Sequence, residues 1–199
     1  MNHGGDCSSM RFPPDIAVYS TRDAFMALSQ KTGQAQCWGN PYRNTRCSAN
    51  DFGTFSGGTH VYSTGYAFMS LNKETGQAQC WGGTRNGGDC RDMDFAGVTD
   101  VYSTQYAFMA LNKETGRAQC WGDTDYLGGD CHDMDFAGVT DVFSTFRAFI
   151  VLNKEIGQAH CWGDAYDGGE CSRSDFAGVT DVYSTGYAFM SLNKETGQA

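Results

Sequence analysis

The sequence predicts an all-β chain built as a tandem array of about five repeats of ~40 residues. Three observations carry that expectation. The block Ala-Phe-apolar-x-Leu begins at Ala24, Ala67, Ala107, Ala148 and Ala188, at spacings of 43, 40, 41 and 40 residues. Residues 61–78 and 182–199 are identical at all eighteen positions. No segment shows helical periodicity over three turns, and no N-capping residue opens an apolar stripe.

Taken in chain order, one unit reads as short strands joined by turns. VYST is β-branched and aromatic and predicts a first strand; AFMAL predicts a second; QAQCW predicts a third. Between the second and third lies NKETG, with Gly76, Gly116, Gly157 and Gly197 where a hairpin wants a positive-φ residue. Alternation is weak: Ala67, Met69 and Leu71 share one face while Phe68 takes the other, a pattern suited to sheets covered on both sides. An antiparallel meander of three or four strands in ~40 residues matches a blade of a β-propeller, with a β-solenoid the less favoured alternative. The repeat cores fall near 18–47, 61–90, 101–131, 142–171 and 182–199, so residues 1–199 are expected to form a single tandem-repeat domain. The chain opens inside a unit, at GGDC, and stops inside another, at GQA. A partial or truncated propeller explains both ends; a five-bladed ring closed by pairing the termini is the rival.

A Gly-containing turn after AFMAL, a strand ending in Trp-Gly and a downstream Gly pair give the unit a family likeness. The residues are Ala67/Leu71, Gly76, Trp81-Gly82 and Gly87-Gly88, recurring as Ala107/Leu111, Gly116, Trp121-Gly122 and Gly128-Gly129. The unit resembles the repeat of the regulator of chromosome condensation superfamily. It is closest to the short-repeat branch that includes the propeller-type β-lactamase inhibitor protein. The resemblance implies a propeller, often seven-bladed, that acts mostly through surface binding. The chain departs from the family pattern in several places: Gly-Gly-Asp-Cys stands in place of Gly-Gln-Leu-Gly, the His often preceding the inner apolar strand is Tyr or another residue, the wedge some members use for nucleotide exchange on a small GTPase has no counterpart, and five copies fall short of seven blades.

Composition narrows the partners. Lys+Arg is 14 against Asp+Glu 23, a net charge of −9, which argues against binding dominated by phosphate neutralisation. Nucleic acid is therefore not expected as a partner. Membrane insertion is not expected either, because the apolar runs are about five residues long and spanning takes about 20. Leu, Ile, Val and Phe total 31 of 199 residues, under the roughly 20 % usual for a globular chain, so aromatic, Met and Cys residues must supply much of the core. The first ten residues show no basic and no apolar region of a signal peptide.

Eight of the nine cysteines form pairs 10 or 11 residues apart: Cys37–Cys47, Cys80–Cys90, Cys120–Cys131 and Cys161–Cys171. One member ends the third strand and the other follows a return loop, so a hairpin can bring them within disulfide range, leaving Cys7 over. Buried free thiols are the alternative. Paired cysteines imply an oxidising compartment, extracellular or cell-surface, with cytoplasmic as the alternative. A zinc site lacks closely spaced ligand pairs, and no metal or other cofactor is expected. Asp89, Asp92 and Asp94, repeated as Asp130, Asp133 and Asp135, read as turn caps before they read as a weak Ca²⁺ site. His3, His60, His132 and His160 occupy unrelated repeat positions, and Ser63-Thr64 recurs in every unit, which points to strand-end structure and not to a nucleophile. No catalytic residue is assigned; the chain is not expected to be an enzyme.

Strand parity places the candidate binding face. In a meander, the turn between VYST and AFMAL shares an end with the loop after QCWG, and NKETG lies at the other end. NKETG barely changes between copies, whereas the opposite end varies and brings in Arg22, Tyr42, Arg43, Tyr66, Arg85, Tyr106, Tyr126, Phe146, Arg147, Tyr166 and Tyr187. Arg and aromatic side chains dominate interface energetics. The expected function is a non-catalytic module that binds a protein partner through loops on one face. The alternatives are a disulfide-stapled extracellular structural or cell-surface array and a glycan-binding propeller.

Overall fold

The computed structural model describes residues 6–29, 31–40, 59–125 and 127–199. Fourteen strands lie among them, in five antiparallel sheets. The chain divides into two compact units, Met1–Gly97 and Val98–Ala199.

The first unit holds two three-stranded meanders: β1 (Ile16–Ser20), β2 (Ala24–Ser29), β3 (Ala35–Gly39), and β4 (Thr59–Ser63), β5 (Ala67–Asn72), β6 (Gln77–Gly82). The second unit holds two more: β7 (Asp100–Ser103), β8 (Ala107–Asn112), β9 (Arg117–Gly122), and β10 (Asp141–Ser144), β11 (Ala148–Asn153), β12 (Gln158–Gly163). A final pair, β13 (Asp181–Ser184) and β14 (Phe189–Leu192), ends the unit. VYST, AFMAL and QAQCW thus become first, middle and third strands, as the repeat pattern predicts. The register is the same throughout: Phe68 faces Trp81, Phe108 faces Trp121, and Phe149 faces Trp162.

Middle strands form the core because both of their faces are covered. Every residue of β5 is buried, as are the first five of β8 and β11. First strands pack side by side, β1 beside β4 in one unit and β10 between β7 and β13 in the other. Sheets are tied to one another by the third strand's tryptophan. The Trp162 ring stacks on Phe149 with centroids 5.1 Å apart and meets the edge of Phe136, from the preceding repeat, at 5.7 Å. Its indole N–H donates to the Gly128 carbonyl of that preceding repeat at 3.2 Å. The glycine after each tryptophan is a close-approach position: a Cβ on Gly122 would sit 2.5 Å from the Tyr106 carbonyl oxygen.

Three of the four expected cysteine pairs are disulfides: Cys80–Cys90, Cys120–Cys131 and Cys161–Cys171, with Cα atoms 5.7, 5.6 and 5.7 Å apart. Each fastens the return loop to the third strand of its own repeat. The Cys37–Cys47 pairing lies outside the described residues, because Cys47 does. Cys7 is a free, exposed thiol. Among the described residues no helix is long and apolar enough to cross a membrane.

Candidate binding face

The recurrent threonine after each first strand builds the turn that carries the candidate side chains. Thr145 Oγ1 accepts the N–H of Ala148 at 3.0 Å, and Thr64 and Thr104 do the same for Ala67 and Ala107. A short hydroxyl at this position closes the turn locally, which accounts for the recurrence of the threonine. The same hydroxyls reach the loop that follows Trp-Gly. Thr64 donates to the Asn86 carbonyl at 3.1 Å and Thr145 to that of Asp167 at 2.9 Å. Turn and loop therefore lie at one end of the β4–β6 and β10–β12 sheets, as strand parity requires.

Neighbouring turns are also joined through the backbone. In the first unit Arg22 N donates to Gly65 O at 3.0 Å. In the second, Gln105 N donates to Phe146 O and Phe146 N to Gly186 O, both at 2.9 Å. Serine side chains add a rung below: Ser63 Oγ donates to Ser20 O and Ser144 Oγ to Ser103 O.

On this scaffold the variable side chains meet in small groups. In the first unit, exposed Arg22 donates to the Tyr66 hydroxyl at 3.3 Å, and Arg85 stands exposed on a 3-10 turn at Thr84–Asn86. In the second unit the Arg147 guanidinium lies 5.9 Å from the centroid of Tyr106. Phe146 meets the edge of Tyr187 at 5.2 Å, and both residues remain exposed. Tyr166, on the 3-10 turn Ala165–Asp167, is 95 % exposed. Tyr42, Arg43 and Tyr126 lie outside the described residues.

Two acids of this face escaped the sequence reading. Asp164 accepts from Arg147 at 3.4 Å, and Asp167, nearly buried, lies 3.7 Å from the same guanidinium. Arg147 is held between Tyr106 and two carboxylates, in a fixed position and not as a free cation. The signal was available: Asp167 is peculiar to its copy of the loop, where the other copies have Asn86 and Leu127.

The opposite end shows why NKETG is constant. Asn112 Oδ1 accepts the N–H groups of Glu114 and Thr115, and Gly116 turns with φ +70°. A Cβ on Gly116 would lie 2.7 Å from the backbone of Ala137 in the following link. Invariance there is packing. The repeated acids serve as caps: Asp89 accepts from Arg91 N, Asp130 from His132 N, and Asp94 and Asp135 from Ala96 N and Ala137 N. The Arg91 guanidinium also holds the Asp89 carboxyl down to about 2. Among the described residues no group of three or more His, Cys, Asp or Glu side chains is placed to hold a metal ion.

Solved structures are similar in fold. The ectodomain of the Physcomitrella patens receptor kinase CR4 superposes with a TM-score of 0.53 over 92 % of this chain and 51 % of its own, at 16 % identity. The CRINKLY WD40 ectodomain of the Arabidopsis thaliana receptor kinase ACR4 gives 0.53 over 86 % and 59 %, at 15 % identity. Prp20p of Saccharomyces cerevisiae gives 0.50 over 83 % and 50 %, at 14 % identity. The fold is that of β-propeller repeats. The chain spans about half the length of these propeller structures. No protein-family model and no curated protein matches the sequence.

Proposed function

We propose that the chain is a non-catalytic protein-interaction module, a single tandem-repeat propeller domain acting in an oxidising, extracellular setting. It binds a protein partner through the turn end of its blades. Within the superfamily of regulator of chromosome condensation repeats we place it in the short-repeat branch, on the Trp-Gly and Gly-Gly positions described above.

One observation carries the reading. The Tyr106–Arg147 and Phe146–Tyr187 pairs stand on turns fixed by backbone hydrogen bonds, so large rings and a guanidinium are presented with little freedom left to lose. Rigid aromatic and Arg anchors are the side chains from which interfaces draw most of their energy. Further support comes from the similar structures, two of which are receptor-kinase ectodomains and the third of which is described with its binding to Gsp1p and histones. Three disulfides favour an extracellular location.

The test is alanine substitution at Tyr106, Phe146, Arg147 and Tyr166, against alanine at Lys113 and Glu114 in the opposite turn. The first set is expected to abolish capture of a partner from native extract with the fold intact by circular dichroism; the second is expected to leave capture unchanged. The near-identical repeats favour a second reading, a disulfide-stapled structural array. Under that reading neither set changes capture.

A further inference from the structure

The loop after Trp81-Gly82 carries the chain's one Asn-Gly step, Asn86-Gly87. Asn86 closes the 3-10 turn Thr84–Asn86, and Gly87 follows in the left-handed region at φ 95°. The backbone of Asn86 is held: its N–H donates to Gly83 O at 2.8 Å, and its carbonyl accepts from Thr64 Oγ1 at 3.1 Å. Among the described residues none hydrogen-bonds its carboxamide. That group, on a partly exposed residue, folds back over the start of the turn, where a Cβ on Gly83 would lie 2.8 Å from Oδ1.

The asparagines of the NKETG turns contrast with it. Oδ1 of Asn72, Asn112, Asn153 and Asn193 each accepts two turn N–H groups, and each of these residues is followed by a lysine. A carboxamide so held has a fixed carbon, and a lysine side chain crowds the backbone nitrogen that follows. Neither restraint acts at Asn86, because glycine has no Cβ and turns freely. The Gly87 N–H donates to the Thr84 carbonyl at 3.4 Å, and this last rung must open before the nitrogen can turn toward Asn86. Such local opening at a short surface turn needs no global unfolding.

We infer that Asn86 is a self-modification site, whose deamidation adds one negative charge beside Arg22 and Tyr66 at the turn end of the first unit. The Gly87 nitrogen gives its proton to solvent base and attacks Asn86 Cγ. The Cγ–Nδ2 bond breaks, and ammonia leaves behind a five-membered succinimide. Water then opens the ring, at Cγ to give aspartate or at the backbone carbonyl carbon to give isoaspartate. One water is consumed and one ammonia released.

The fourth repeat marks the place of the new charge. Asp167 stands at the position of Asn86, and Arg147 at that of Tyr66. Asp167 Oδ2 lies 3.7 Å from Arg147 Nε. In the second repeat the Tyr66 hydroxyl brings Arg22 to the corresponding spot, through a hydrogen bond of 3.3 Å. Deamidation thus gives the second repeat the acid that the fourth encodes. This chemistry is the same whether or not a partner binds the face, so the two readings fail separately.

The test incubates the 199-residue chain at mildly alkaline pH beside a capped peptide of residues 79–88 with serine for cysteine. A more acidic species one mass unit heavier is expected, assigned by peptide mapping to Asn86 and formed at least ten times faster than at Asn72, Asn112 or Asn153. Asn86→Gln, which would have to close a six-membered ring, is expected to block it. In the Asn86→Asp chain the Arg22 Nε–H resonance is expected to shift, and in the Asn86→Gln chain to stay. Conversion first at another asparagine, or an intact Asn86 once the peptide is fully converted, overturns the inference. So does acid formation at an unchanged rate in the Asn86→Gln chain, or an Arg22 resonance that does not move in the Asn86→Asp chain.

Discussion

The Thr145 hydroxyl donates to the Asp167 carbonyl oxygen at 2.9 Å and fixes the loop bearing Tyr166 to the turn bearing Phe146 and Arg147. Both groups are buried, and Thr145 Oγ1 itself accepts the Ala148 N–H at 3.0 Å. Thr145→Val keeps the shape and removes both bonds. The expected cost is about 2–3 kcal/mol, since buried partners are left unsatisfied. Urea denaturation checks it; a loss under about 0.5 kcal/mol, the scatter of ordinary surface changes, contradicts the assigned role.

Trp162→Phe retains a ring over Phe149 but leaves the Gly128 carbonyl without its donor. A loss of about 1 kcal/mol is expected, against about 3–5 kcal/mol for Trp162→Ala, which also opens a cavity. Thermal unfolding of the two variants gives the comparison. Equal losses would mean that the hydrogen bond, and not packing, joins the sheets.

Replacing Cys120 and Cys131 together by serine reopens an 11-residue separation. On the chain-entropy model this costs about 2–3 kcal/mol. Protein made in an oxidising compartment should be lighter than its reduced form by two hydrogens per bridge. Mixed disulfides between repeats in a non-reducing peptide map would contradict the pairing.

His132 titrates above the ordinary imidazole value, chiefly because its side chain hydrogen-bonds Asp130 at 2.6 Å, with Asp133 3.1 Å from the other ring nitrogen. A raised histidine pKa contributes stability that is fully present below ~6.5 and lost as pH rises through the folded value. The Asp130 carboxyl is lowered by the same hydrogen bond, so its contribution is present above ~3.9 and lost as pH falls through its folded value. NMR titration should place His132 above ~6.5 and Asp130→Asn should bring it down. A midpoint at or below ~6.5 in the unmodified chain rules the pair out.

Strands, turns and cysteine pairing were legible because each is written within one repeat. VYST and AFMAL have the residue types and lengths of strands, and a spacing of 10 or 11 brings Cys120 and Cys131 together once a hairpin forms. Parity alone placed Thr145 and the Trp-Gly loop at one end. Contacts between repeats were not legible. Nothing local to Trp162 says that its N–H seeks Gly128, 34 residues earlier, or that Arg22 N pairs with Gly65 O. The Arg147–Asp164–Asp167 cluster was marked in the sequence only by Asp167 standing where other copies have Asn86 and Leu127; its meeting with Arg147 depends on a loop that Asp164 caps through Tyr166 N and Thr145 holds in place.

The central claim is that the turn end of the blades binds and the NKETG end does not. Its most direct measurement is the affinity of one captured partner for the Phe146→Ala/Arg147→Ala chain and for the Lys113→Ala/Glu114→Ala chain, both checked for fold by circular dichroism. The account predicts at least a tenfold loss for the first and less than a twofold change for the second. A loss confined to the Lys113/Glu114 chain would contradict it.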